Sequence, residues 1–120
     1  MRGTIMIELE TLGTNSWKEF LSSPKAVLII SKINCISCDE WTRELSDWLG
    51  SENPSTDVRF GKILLDSPRL TEFKIENQWI QNISILPHNS IFIDGKQVCQ
   101  WPGKGIEKLQ NHLDSSNISL

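Results

Sequence analysis

Two cysteines, Cys35 and Cys38, stand three positions apart in the stretch NCISCDEW and are followed at once by two acids, Asp39 and Glu40. Thiols at this spacing can exchange electrons with another protein's disulfide, supply two ligands to a metal ion, or pack as small hydrophobes. A closed zinc site needs two more ligands, and only His88, Cys99 and His112 remain as donors of the right kind, scattered without ligand spacing. A metal is therefore not expected. Exchange is favoured, and a pair that merely packs stays open beside it.

The elements around the pair sharpen the choice. KAVLIISKI, residues 25–33, is an aliphatic run of strand length, as in a strand buried on both faces. Cys38, Trp41, Leu45, Trp48 and Leu49 then recur at helical spacing, and Gly50 is expected to close the helix as a left-handed cap. The pair thus falls at a strand-to-helix junction, where unpaired backbone N–H groups and the helix dipole favour a thiolate. Cys35 at the helix start should be open to a partner, and Cys38, on the stripe of Trp41 and Leu45, should be sheltered. This assigns Cys35 as the nucleophile that forms a mixed disulfide and Cys38 as the thiol that resolves it.

The remaining chain must supply a scaffold. IMIEL, residues 5–9, reads as a first strand; NSWKEFLSS, residues 15–23, as a helix capped by Asn15 and Ser16 and closed by Pro24. VRFGKILLD, residues 58–66, reads as a strand, and SPRLTEFKIENQWI, residues 67–80, as a helix with Pro68 in its first turn. NSIFIDGKQVCQW, residues 89–101, is a hairpin turning at Asp94-Gly95, and GIEKLQNHL, residues 105–113, a last helix before a polar tail expected to be disordered from about residue 115. Strands alternate with helices until the hairpin, so an α/β fold with a mixed sheet covered by helices is predicted. The 120 residues fit one domain.

Composition excludes several classes. With 38% apolar residues, five Trp and four Phe the chain can bury a core. Its formal net charge of -3 lacks the basic footprint of a nucleic-acid binder. Glu8 interrupts the N-terminal apolar stretch, and the longest aliphatic run, AVLII, is too short to span a bilayer, so no membrane association is expected. Three cysteines, one close pair and a distant Cys99, suit working thiols in a reducing compartment; the cytoplasm is expected.

KAVLIISKINCISCDEW, then GKILLD, then ISILPHNSIFIDGKQV ending in WPG, is similar in order and spacing to the thioredoxin family, over nearly the whole chain from Met6 to about Leu113. The resemblance implies a three-layer thioredoxin-like fold, a central mixed sheet flanked by helices on both faces. It also implies a thiol-disulfide oxidoreductase without a bound cofactor, acting on protein disulfides and recharged by an upstream reductant. Pro87 matches the cis-proline that faces the pair in that family; Leu86 would offer its backbone to substrate, and Asn34, Ile36 and Ser37 would form the docking rim. His88 would lie near the sulfurs, at the rim.

The departures carry information too. Asn34 stands where thioredoxins commonly have Trp, and Ile36-Ser37 where they have Gly-Pro. Ile29 replaces a buried Asp that assists the resolving thiol, so Lys62, which matches that acid's usual partner, must reach water or another acid. Asp39 and Glu40 suit a first helical turn, but acids beside Cys35 raise its pKa and argue for a reductant or mild exchange catalyst over a strong oxidant. Ile29 and the missing Gly-Pro sustain a second function class: a thioredoxin-fold interaction domain with little redox activity.

Overall fold

A computed structural model describes residues 7–51 and 57–118. In chain order the elements are β1 (Leu9–Thr11), α1 (Trp17–Leu21), β2 (Lys25–Ser31), α2 (Ile36–Ser51), β3 (Arg59–Leu64), α3 (Thr71–Glu76), a 3-10 turn (Gln78–Asn82), β4 (His88–Ile93), β5 (Lys96–Pro102) and α4 (Ile106–Ser115). The strands form one sheet in the order β1-β3-β2-β4-β5. β3 pairs parallel with β1 and β2, while β4 runs antiparallel to β2 and β5. The sheet is mixed, as expected.

Strand β2 shows why helices must cover both faces. Side chains alternate along a strand, and here both sets are aliphatic. Ala26, Leu28 and Ile30 pack with Trp17, Phe20 and Leu21 of α1 and Phe73 of α3. Val27 and Ile29 pack on the opposite face with Trp41, Leu45 and Leu49 of α2 and Leu109 and Leu113 of α4. Three layers result. Gly61 of β3 permits the first packing: a Cβ there would stand 2.8 Å from the Phe20 ring.

Several boundaries differ from expectation. The first strand is Leu9–Thr11, aligned by Leu9 opposite Phe60 on β3; Ile7 and Glu8 lie outside it, and residues 5 and 6 outside the described residues. Arg59 secures this edge by bonding the Glu10 carboxylate at 2.9 and 2.7 Å and that of Glu19 at 2.7 Å. Ser16 sits at the start of α1 without capping it, because its Oγ accepts the Gly13 N–H at 2.9 Å instead. Gly50 forms no left-handed cap; it lies inside α2, which continues to Ser51.

The helix expected over residues 67–80 is split. Pro68 belongs to a turn in which Arg69 takes a φ of 64°, and α3 starts only at Thr71. It stops at Asn77, whose backbone N–H and Nδ2 both donate to the Phe73 carbonyl, at 3.0 and 2.9 Å, while Trp79 Nε1 donates to its Oδ1. A side chain competing for backbone groups ends the helix there. The hairpin turns at Asp94 and Gly95, with φ of 51° and 84°, as the Asp-Gly pair predicts. Beyond α4, Ile118 is buried at 2% exposure and its N–H donates to the Leu113 carbonyl, so the chain past residue 115 continues to pack as far as Ile118.

Candidate functional site

Cys35 is the residue just before α2, and the geometry of a helix start defines it. Its carbonyl accepts the Asp39 N–H at 3.0 Å, and its Sγ accepts the Cys38 N–H at 3.2 Å. Helix starts leave N–H groups without partners, and the sulfur of Cys35 occupies the place of a capping oxygen. Negative charge on that sulfur is thereby stabilised by a backbone donor and the helix dipole. Asn34, at a φ of 61°, makes the sharp turn out of β2, and the Ile33 N–H is held by the Asp66 carboxylate at 3.1 Å.

The two cysteines are joined in a disulfide with their Cα atoms 5.2 Å apart. Their surroundings differ as the sequence predicts: Cys35 is half-buried, and Cys38 is 1% exposed. Asn34, Ile36 and Ser37 are exposed around Cys35, Ile36 at 78%. The Leu86–Pro87 bond is cis. Leu86 and Cys35 line one groove of about 320 Å³, together with Lys32, Leu65, Ile80, Ile83 and Ser84. Pro87 is buried, and its carbonyl accepts the Gly103 N–H at 2.9 Å.

His88 is placed otherwise than the sequence suggests. It is not among the groove-lining residues; its Nε2 meets Gln100 Oε1 at 2.8 Å, its ring lies 6.0 Å from that of Trp79, and only 9% of it is exposed. Burial and these partners hold it on the face of α1 and α3. Lys62 is half-buried and opens onto a second groove shared with Asp39, Thr42 and Arg43, beside the fully buried Ile29 of the neighbouring strand. Cys99 stands apart from the pair, half-buried with Sγ 3.5 Å from His112 Nδ1, and burial pushes its thiol pKa up. Among the described residues no three His, Cys, Asp or Glu side chains are grouped to hold a metal ion.

Two structural devices went unseen in the sequence. Asn89, 1% exposed and directly opposite Ile29 in the β2–β4 pairing, accepts from Trp41 Nε1 at 2.8 Å. Its Nδ2 donates to the carbonyls of Gly103 at 2.8 Å and Trp101 at 3.2 Å. One buried amide therefore ties α2, which carries Cys38, to the loop whose Gly103 N–H holds Pro87. The other device is an ion pair from Glu40 to Lys104 of that loop; the ammonium's hydrogen bond and charge keep the Glu40 carboxyl below its usual pKa. The charge of Glu40 is thus largely answered, leaving Asp39 as the acid to consider beside the pair.

No protein-family profile matches the chain, and no curated protein sequence matches it. Solved structures do. The thioredoxin of Malassezia sympodialis, Mala s 13, superposes with a TM-score of 0.72 at 14% identity, covering 96% of each chain. Thioredoxin f from spinach chloroplast, in its short form, gives 0.72 at 15% identity over 97% of this chain and 99% of that one. Thioredoxin f2 of Chlamydomonas reinhardtii gives 0.70 at 20% identity over 90% and 95%. The chain therefore has the thioredoxin fold. Its Cys-Ile-Ser-Cys pair occupies the strand-to-helix junction of that fold.

Proposed function

We propose that the protein is a thiol-disulfide oxidoreductase that reduces or exchanges protein disulfides through Cys35 and Cys38. The observation that carries this is the asymmetry of the pair: a half-open sulfur capping a helix start, bonded to a sulfur that is buried. The Cys35 thiolate attacks one sulfur of the partner's disulfide, and the partner's other sulfur leaves as a thiolate and takes a proton. Cys38, deprotonated, then attacks Cys35 Sγ and expels the partner's second thiol. Two electrons pass to the partner and the pair is left as the disulfide. An external dithiol or small-thiol reductant returns it to the reduced state.

Asn34, Ile36, Ser37 and Leu86 form the contact surface in this scheme, with the buried Pro87 directly after Leu86 and His88 opening β4. We read the 120 residues as one domain working in a reducing, cytoplasmic setting, which one close thiol pair and a remote third cysteine favour. Among the described residues no helix is long and apolar enough to cross a membrane. The backbone donor at the helix start favours negative charge on Cys35 while the nearby carboxylate of Asp39 opposes it, so a mild reductant or exchange catalyst is expected.

Insulin reduction driven by dithiothreitol tests the assignment. The native chain should accelerate it and Cys35→Ser should not; equal rates would leave a thioredoxin-fold interaction domain as the function. A Cys35 pKa far below neutrality, measured by thiolate absorbance, would overturn the mild potential.

A further inference from the structure

The groove beside Cys35 is more specific than a general docking surface requires. Leu65, Ile80, Ile83 and Leu86 give it aliphatic walls, and Lys32, three residues before Cys35, brings in a cation. No carboxylate lines it, although the chain is acidic overall, and among the described residues Lys32 makes no ion pair. Ile33, Ile36 and Ile85, exposed at 56%, 78% and 59%, continue the apolar surface on the segments that frame the pair and Pro87. Isolated exposed aliphatics are ordinary; here all three fall within two residues of Cys35 or Pro87 in the chain.

We propose that this groove selects partner segments in which the disulfide cysteine is flanked by aliphatic side chains and, within a few residues, by a carboxylate. The proposal rests on the exchange function above. Its electrostatic part follows from the reaction itself. Lys32 and Cys35 line the same groove, and in the mixed disulfide the Cys35 sulfur is neutral. The ammonium, which makes no ion pair among the described residues, is then open to an acid of the partner. An aliphatic side chain of the partner displaces water from the walls formed by Leu65, Ile80, Ile83 and Leu86, which a polar side chain cannot do favourably. A basic segment would bring a like charge against Lys32 and be rejected.

Four peptides test this, each with one cysteine held as a mixed disulfide with a chromophoric thiol. They differ only in having Leu or Ser on both sides of the cysteine and Glu or Lys beyond. The reduced native chain should give the highest kcat/KM with the Leu-Glu peptide, about fivefold above Ser-Glu and about threefold above Leu-Lys at low salt. The charge preference should shrink as ionic strength rises. Lys32→Glu should invert the Glu-over-Lys ranking, a ratio from which any effect on Cys35 itself cancels. Ile83→Ala should narrow the Leu-over-Ser ratio and leave the charge ranking alone. Equal rates for all four peptides, or an unchanged charge ranking in Lys32→Glu, would sink the selectivity. So would oxidised glutathione, which is acidic without aliphatic side chains, reacting as fast as the Leu-Glu peptide. Native chain and Cys35→Ser giving the same rates throughout would instead remove exchange itself, and the selectivity with it.

Discussion

Cys38 and Cys35 are one helical turn apart and live in opposite surroundings. Around Cys38 everything is fixed: Trp41 and Asn89 are each 1% exposed, and directional hydrogen bonds connect α2 to Trp101 and Gly103. Around Cys35 the chain neighbours Asn34, Ile36 and Ser37 are exposed, Ile36 at 78%, and Lys32, which makes no ion pair among the described residues, stands in an open groove. The buried side fixes the surroundings of Cys38, and the open side leaves Cys35 accessible. Substitutions on the first side should therefore appear as lost stability, and on the second as altered exchange at nearly constant stability.

The largest effect that would separate the two sides is at Trp41. Trp41→Ala removes a buried aromatic ring and should cost about 3–5 kcal/mol, read from the urea midpoint. Trp41→Phe keeps most of the ring but leaves Asn89 Oδ1 without its donor, and should cost about 1–3 kcal/mol. Asn89→Leu should cost a similar amount, because it leaves Trp41 Nε1 without its acceptor and takes the side-chain amide donor away from the Gly103 and Trp101 carbonyls. Combining Trp41→Phe with Asn89→Leu should cost less than the two separately, since each already breaks the shared bond. Full additivity would mean that the amide does not couple α2 to the loop at Gly103.

This buried connection also marks where sequence reasoning ends. The β2–α2 junction, the sheltered stripe of Cys38, Trp41 and Leu45, and the turn at Asp94-Gly95 were legible because each is written in local periodicity or turn chemistry. The Asn89–Trp41 bond joins residues 48 positions apart, and only the antiparallel pairing of β2 and β4 brings them together. The same holds for Glu40 with Lys104, 64 positions apart. The groove was hidden for a different reason: one helix was expected through Ile80, and Asn77 breaks it, so that Ile80 falls in a 3-10 turn and Ile83 in the extended residue just after. Asn89 stands between His88 and Ser90 at the polar start of β4, and nothing local names its partner.

On the open side the expected stability changes are small. Ile36→Ser should alter stability by less than about 0.5 kcal/mol, since the side chain is already in water. It should nonetheless slow reduction of a protein disulfide several-fold while changing the rate with a small neutral disulfide much less. A stability loss as large as that of Trp41→Phe would erase the distinction between the two sides.

A pH-dependent effect tests the buried side further from the pair. The His112 ring stacks on Trp101 at 4.0 Å, and burial, helped by Lys108, pushes its pKa below the ordinary imidazole value. As pH falls, the unfolded chain binds this proton first, at about 6.5. The contribution of the neutral ring to stability is therefore complete above that pH and declines as pH falls toward the lower folded pKa. His112→Gln should flatten this part of the stability profile. An unchanged slope would show that the stacked ring takes up its proton as readily folded as unfolded.

The smallest effect concerns the border between the two sides, where Glu40 of α2 meets Lys104 of the loop that holds Pro87. Both side chains are about half exposed, so the pair adds little to stability. Because the Glu40 carboxyl is held below its usual pKa, what it does add is present above the unfolded carboxyl pKa and fades as pH falls through the folded one. Its larger consequence is for Cys35. Lys104→Met leaves Glu40 uncompensated near the helix start, and the Cys35 pKa should rise by a fraction of a unit, more at low salt than at high. Glu40→Gln added to Lys104→Met should bring it back down. If thiolate titration shows the same Cys35 pKa in all three chains, the charge of Glu40 does not reach the reactive sulfur, and Asp39 alone sets the acidic side of its field.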